Sequence, residues 1–173
     1  MENKEFHTVR GYQLLKQNKK QLSSAMEDYL EMICRNSEQE GFMRMNKLAD
    51  LLNVKASSAS KMVQKLGELG LIKYEKYGII ILTEYGKEVG RYLLNRHKII
   101  EEFLKTIGIN DNLLVETELI EHNISSNTLE NIKMLMEFLV SSPEIIKRFE
   151  EFKAACTKQI VNENSQKINC THD

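Results

Sequence analysis

The chain has 173 residues, 42% of them hydrophobic and 28% charged, and a formal net charge of −1 from 24 basic and 25 acidic side chains. That length buries a core without disulfide or metal staples, and the balance excludes a disordered or membrane-spanning class. One proline and eight glycines are too few for the many tight turns of a sandwich or barrel, so a mainly helical fold is expected. Three widely spaced cysteines (Cys34, Cys156, Cys170), a charged N-terminus and the lack of an 18-residue apolar run predict a reducing, cytoplasmic setting and no membrane partner.

In chain order, residues 1–22 read as a charged N-terminal arm. Ser24 and Glu27 have the spacing of a capping box. The helix they open runs to about Arg35, with Met26, Tyr29, Leu30 and Ile33 on one buried stripe. Asn46 is placed to cap a short helix carrying Leu48, Leu51 and Leu52, and Asn53-Val54-Lys55 makes a turn. Ser57 or Ser58 starts a further helix, with Met62, Val63, Leu66 and Leu69 inward and Gly70 as its stop. The period then changes, and residues 71–76 and 79–82 read as two strands joined at Tyr77-Gly78. Thr83 caps a long helix stopped by Gly108. Helices over 113–123 and 127–140 follow, and Pro143 suits the first turn of a last one through Phe152. Beyond Ala155 the residues are polar and aperiodic, so a disordered tail over 156–173 is expected.

The near-zero total charge hides a split. From Arg44 to Lys87 there are eight basic and four acidic residues; from Glu101 to Ala155 there are five basic and eleven acidic ones. A basic front and an acidic back suggest two tasks, polyanion contact being one possibility. Helix, short helix, turn, helix and a two-stranded wing is the order of a winged helix-turn-helix, which lays its second helix in the major groove. The exposed face of that helix would carry Ser57, Ser58, Ser60, Lys61, Gln64 and Lys65 toward bases and phosphates, and the wing would add Lys73, Lys76 and Tyr77. The bland alternative is a helical hairpin with a solvated lysine face; the element order and the local charge together favour DNA.

In the acidic half, Glu118, Glu121 and His122 stand at i, i+3 and i+4, within roughly 100° of one helix face, so their heads converge. Two carboxylates crowded there repel each other unless a cation lies between them. A lysine from a neighbouring element or a plain acidic patch would also answer that need. Asp28 and Glu31 lie away from the Met26–Ile33 stripe and, alone, read as solvated; His97 alone is uninformative. Should all six meet, four carboxylates and two imidazoles without a thiolate would suit Mn²⁺ or Fe²⁺. Cys34 reads as a small core residue, and Cys170 with His172 are too few to hold a metal.

Five stretches carry a resemblance: MEDYLEMI (26–33), the run from Lys47 to Gly78, LTEYGKEVG (82–90), NRHKIIEEFL (95–104) and ELIEHNIS (118–125). With them the chain resembles the diphtheria-toxin-repressor family of metal-dependent bacterial repressors, in its manganese-sensing branch of manganese transport regulators, over roughly residues 23–140. The resemblance implies a winged-helix domain over 23–92 and a helical metal-binding and dimerisation domain over 93–155. It implies two metal ions per subunit held by Asp28, Glu31, His97, Glu118, Glu121 and His122. Iron-sensing relatives carry methionine in place of Asp28 and cysteine in place of Glu118, and hard oxygen donors at both positions fit Mn(II), with Fe(II) as the second option. The wing tip departs from the family, with Gly78-Ile79 where Arg-Gly is usual, and Ser57 stands where many members have proline. The implied function is repression of metal-uptake genes by a homodimer on a palindromic double-stranded operator. The rivals are an iron-responsive repressor of the same family and a winged-helix regulator with a non-metal effector. An enzyme is not expected, since a dinuclear phosphoesterase would need a nucleophile or a phosphate-cradling glycine loop that the chain lacks.

Overall fold

A computed structural model of the chain describes residues 22–37 and 40–169; the expected arm, apart from Leu22, lies outside the described residues. The elements are α1 (Ser24–Ser37), β1 (Met43–Arg44), α2 (Met45–Leu51), α3 (Ala56–Glu68), β2 (Ile72–Glu75), a 3-10 turn (Lys76–Gly78), β3 (Ile79–Leu82), α4 (Glu84–Ile107), α5 (Leu113–Glu121), α6 (Ser126–Val140) and α7 (Pro143–Asn169). The fold is mainly helical, as expected. The wing, expected as two strands, is a three-stranded antiparallel sheet in the order β1-β3-β2, with Met43 opposite Ile80 and Tyr74 opposite Ile80 on the other side. A two-residue strand is too short to show a period, which is why β1 escaped the sequence reading.

Helix starts differ from expectation where several polar residues compete for the cap. Ser23 rather than Ser24 precedes α1, its hydroxyl accepting from Met26 N at 3.4 Å, and Glu27 does not close a capping box because its side chain is buried elsewhere. Arg44 and Lys55, not Asn46 and Ser57 or Ser58, flank the starts of α2 and α3, both without a side-chain cap. Thr83 and Gly108 behave as read: Thr83 Oγ1 accepts from Gly86 N at 2.9 Å, and Gly108 takes φ 99°, the left-handed region that ends a helix.

The described chain falls into two compact units, one through Leu129 and one from Glu130. The first is cored by Leu30, Ile33, Leu48, Val63, Leu66, Leu71, Ile80, Leu93 and Ile100, all at most 1% exposed. Its α1 and α5 both pack on α4, so the expected division at 92/93 falls inside one continuous helix. Two glycines permit the close approaches. A Cβ at Gly86 would collide with the Leu71 carbonyl, and one at Gly90 would stand 2.8 Å from both Cβ and Sγ of Cys34. In the second unit α7 continues through Asn169, past the expected end at Phe152 and across most of the expected disordered tail. Residues 156–169 contain no Pro or Gly and include Lys, Gln and Glu, which sustain a helix without an apolar period. Cys170 and His172 lie outside the described residues.

Candidate functional site

Three elements bring the acidic residues together. One turn of α1 presents Asp28 and Glu31, the middle of α4 presents His97, and the last turn of α5 presents Glu118, Glu121 and His122 at its C-cap. Two sets of donor atoms result, Asp28, Glu118 and His122 in one and Glu31, His97 and Glu121 in the other, each set lying within 4.8 Å of one another. His97 Nδ1 is 3.1 Å from Glu121 Oε1 and 3.8 Å from both Glu31 Oε1 and Glu118 Oε1. His122 Nε2 is 3.0 Å from Asp28 Oδ1 and 3.4 Å from Glu118 Oε2. Asp28, Glu31, His97, Leu114 and Glu118 help line a cavity of about 270 Å³. Glu31, which reads as solvated from α1 alone, is buried because α4 covers that side.

The cluster is electrostatically loaded. Burial raises the carboxyls of Asp28, Glu31 and Glu118 above their ordinary range, and the neighbouring Glu121 charge pushes each further. Burial works the same way on Glu121, but its hydrogen bond to His97 and the charges of Arg96, His97 and His122 outweigh it and hold that carboxyl low. His97 is raised by its hydrogen bond to Glu121. Burial pulls His122 down, yet its hydrogen bond to Glu27 and the Asp28 charge carry it above the ordinary imidazole range. Both shifts favour the protonated imidazoles, so positive charge is drawn to where the carboxylates crowd. Glu121 Oε2 is buried without a hydrogen-bond partner, 3.5 Å from Arg96 Nε. A buried carboxylate oxygen with spare lone pairs, three further carboxylates and two imidazoles, with no thiolate among the converging donors, fit a hard divalent cation.

Two residues of this centre escaped the sequence reading. Glu27 and Arg96 are both buried and joined at 3.0 Å, and Glu27 Oε2 also meets His122 Nδ1 at 2.9 Å. A sequence signal existed for each: Glu27 falls three before Leu30 and Arg96 falls three after Leu93, so both interrupt apolar stripes with opposite charges.

The residues expected to contact DNA lie on exposed faces. Ser57, Ser58, Ser60, Lys61, Gln64 and Lys65 are all exposed on α3, whose first turn holds no acid, and Lys73, Lys76 and Tyr77 are exposed on the wing. Tyr77 is 91% exposed and takes φ 66°, a left-handed conformation rare for a residue with a side chain.

Helix, short helix, turn, helix and antiparallel wing make this a winged helix-turn-helix, so the class is a DNA-binding regulator, and the helix that leaves its wing also carries the carboxylate–imidazole cluster. Comparison with known proteins agrees. Residues 21–80 match the N-terminal DNA-binding domain of iron-dependent repressors, and residues 83–150 match their metal-binding and dimerisation domain. The HTH-type transcriptional regulator MntR of Oceanobacillus iheyensis is 37% identical over 148 residues, covering 85% of this chain and 95% of that protein. The MntR of Geobacillus thermodenitrificans is 41% identical over 115 residues, 66% and 82% of the two chains. Among solved structures, the manganese regulator SloR superposes with a TM-score of 0.59 at 29% identity over 65% of this chain. A manganese-dependent transcriptional repressor in complex with manganese does so equally, and the chain spans about half the length of these two, 54% and 53%. The chain belongs to the iron-dependent repressor family. It is therefore a metal-responsive, DNA-binding transcriptional regulator rather than an enzyme, and it carries a dimerisation domain. No helix among the described residues is long and apolar enough to cross a membrane.

Proposed function

We propose that this protein is a manganese-responsive repressor of metal-uptake genes, acting in the cytoplasm as a homodimer on a palindromic operator. The observation that carries the reading is the convergence of six hard or borderline donors from three helices, with oxygen at Asp28 and Glu118. Two ions per subunit would be held, one by Asp28, Glu118 and His122 and one by Glu31, His97 and Glu121. When bound, two divalent ions would supply about four positive charges per subunit, where the two imidazoles can supply at most two in their absence.

The chain's own residues do the rest. Asp28 and Glu31 stand on the first helix of the DNA-binding region, and Glu118, Glu121 and His122 stand on α5, with His97 between them on α4. Neutralising the cluster relieves the repulsion among the carboxylates of α1 and α5, which favours the arrangement that holds them together over its alternatives. In the dimer that arrangement sets the separation of two α3 helices, expected at about one turn of DNA (~34 Å) or a multiple. Lys61 and Lys65 neutralise phosphates, and the small hydroxyls of Ser57, Ser58 and Ser60 allow close approach. A division into a DNA-binding domain over 23–92 and a metal-binding, dimerising domain over 93–155 accompanies this reading. The exposed Phe138, Val140, Phe149 and Phe152 offer apolar surface for association.

The test is a mobility shift on the promoter of a metal-transporter gene with Mn²⁺, Fe²⁺, Zn²⁺ or chelator, for the wild type and Glu118→Cys. Retardation by the wild type with Mn²⁺ but not with chelator is expected, and Glu118→Cys should lose Mn²⁺ selectivity. Equal activation by Fe²⁺ would replace the metal and keep the repressor; retardation indifferent to all metals would point to a non-metal effector.

A further inference from the structure

The two imidazoles of the centre are held differently. His97 turns Nδ1 into the cluster, and among the described residues no carboxylate oxygen lies within 4.0 Å of its other nitrogen. His122 turns Nε2 toward Asp28 and Glu118, while its Nδ1 sits 2.9 Å from Glu27 Oε2. Carboxylates only accept hydrogen bonds, and one faces each ring nitrogen; a proton held on Nδ1 by Glu27 is the arrangement that leaves the Nε2 lone pair for a cation between Asp28 and Glu118. Glu27 Oε2 is itself fixed by the Arg96 guanidinium at 3.0 Å, and both side chains are buried, Arg96 at 5% and Glu27 at 8% exposure. Arg96 also stands 3.3 Å from His122 Nδ1, and because a guanidinium only donates, that contact is a hydrogen bond only in the tautomer with no proton on Nδ1.

We propose that the buried Glu27–Arg96 pair is the positioning couple of the centre, locking His122 in the tautomer that offers Nε2 as a ligand, and that it thereby makes the two metal positions unequal. Glu27 and Arg96 touch no metal on this account; they act through His122. A carboxylate behind a ligating imidazole fixes ring orientation and raises its basicity, and losing such a partner typically lowers metal affinity about 10–100-fold. The inference rests on the two-metal reading for its affinity prediction alone, because the tautomer of His122 is measurable without metal.

Two measurements on the full chain test it. Free Mn²⁺ is followed by electron paramagnetic resonance during titration of the wild type and Glu27→Gln, and imidazole ¹⁵N shifts are read in chelator at a pH where both rings are neutral. Expected for the wild type is a proton on His122 Nδ1 and two binding steps. Expected for Glu27→Gln is one step weakened about 10–100-fold with the other changed less than about threefold, and a mixed His122 tautomer. Removing one partner of a buried pair can unfold a protein whereas apolar replacement of both is often tolerated, so Glu27→Leu/Arg96→Leu serves as the second variant, read by tautomer. An unchanged tautomer in both variants overturns the proposal, as does an equal loss of both binding steps in Glu27→Gln. A wild type that binds no Mn²⁺ would refute the manganese reading, while the tautomer shift would still decide the role of Glu27.

Discussion

Gly90 lets α4 pass so close to α1 that stability and metal affinity should fall together when it is filled. In Gly90→Ala the new methyl meets Cys34 Cβ and Sγ at 2.8 Å. Ordinary contact lies at about 3.5–4.0 Å, so the helices must part by about 0.7–1.2 Å or the backbone must bend. Overpacking of this kind costs about 1–3 kcal/mol, against which alanine returns up to about 1 kcal/mol of helix propensity. A net loss of about 1–2 kcal/mol lowers Tm by roughly 3–8 °C for a unit of this size. Asp28 precedes Cys34 by six residues and His97 follows Gly90 by seven, so the same parting separates donors that need placing to about 0.5 Å. Mn²⁺ affinity should drop at least about tenfold. Thermal melts in chelator and Mn²⁺ titrations measure both quantities. Cys34→Ala in the same chain removes Sγ and should restore part of each. Gly67 on α3 is the control: its added Cβ meets nothing nearer than the Ile72 carbonyl at 3.9 Å, so Gly67→Ala should stabilise by about 0.5–1 kcal/mol. Gly90→Ala melting like Gly67→Ala, with Mn²⁺ affinity intact, would refute the reasoning.

Further outcomes follow from the same geometry. His97 and His122 are raised in the folded chain, so their contribution is complete below an ordinary imidazole pKa of about 6.5 and is lost as pH climbs through the raised values. The raised Asp28, Glu31 and Glu118 act with the same sign at lower pH, and Glu121 opposes them. Melts in chelator should therefore decline from about pH 6 to about pH 8, and saturating Mn²⁺ should reverse the slope because metal competes with those protons; a flat profile in chelator would count against the electrostatic account. Tyr77→Gly should relieve the left-handed strain at φ 66° and stabilise the chain by about 1 kcal/mol while weakening operator binding, as read by melting and mobility shift. Lys61→Ala and Lys65→Ala should each reduce the slope of log affinity against log salt by about 1, measured by anisotropy at several salt concentrations.

The long helix α4 was legible to the residue, because a hydroxyl at its start and a left-handed glycine at its end are local devices. The wing was legible as a change of period, but β1 was not, since two residues set no pattern and only pairing with β3 makes them a strand. Caps were misassigned at α2 and α3 where neighbouring Asn and Ser residues could each have served, and packing chose starts with no side-chain cap. Of the centre, the α5 trio showed itself by helical spacing. Asp28, Glu31 and His97 did not, because their meeting depends on how three helices stack rather than on any one of them. Glu27 was obscured by a plausible local role, and its buried partner Arg96 lies 69 residues away.

Thr83 does more than open α4. Its hydroxyl also donates toward the Gly70 and Leu71 carbonyls at 2.8 and 3.1 Å, and its N–H reaches Leu71 O at 3.1 Å, so the segment leaving α3 is fastened to the root of α4. With a rise of 1.5 Å per residue, His97 stands about 20 Å from the end of α4 to which the DNA-binding region is fastened. A tilt of about 3° then displaces that end by about 1 Å, enough to move a serine hydroxyl out of reach of a phosphate. The sensor thus has an angular tolerance: it must define the direction of one helix to within a few degrees for the reader at the other end to find its groove.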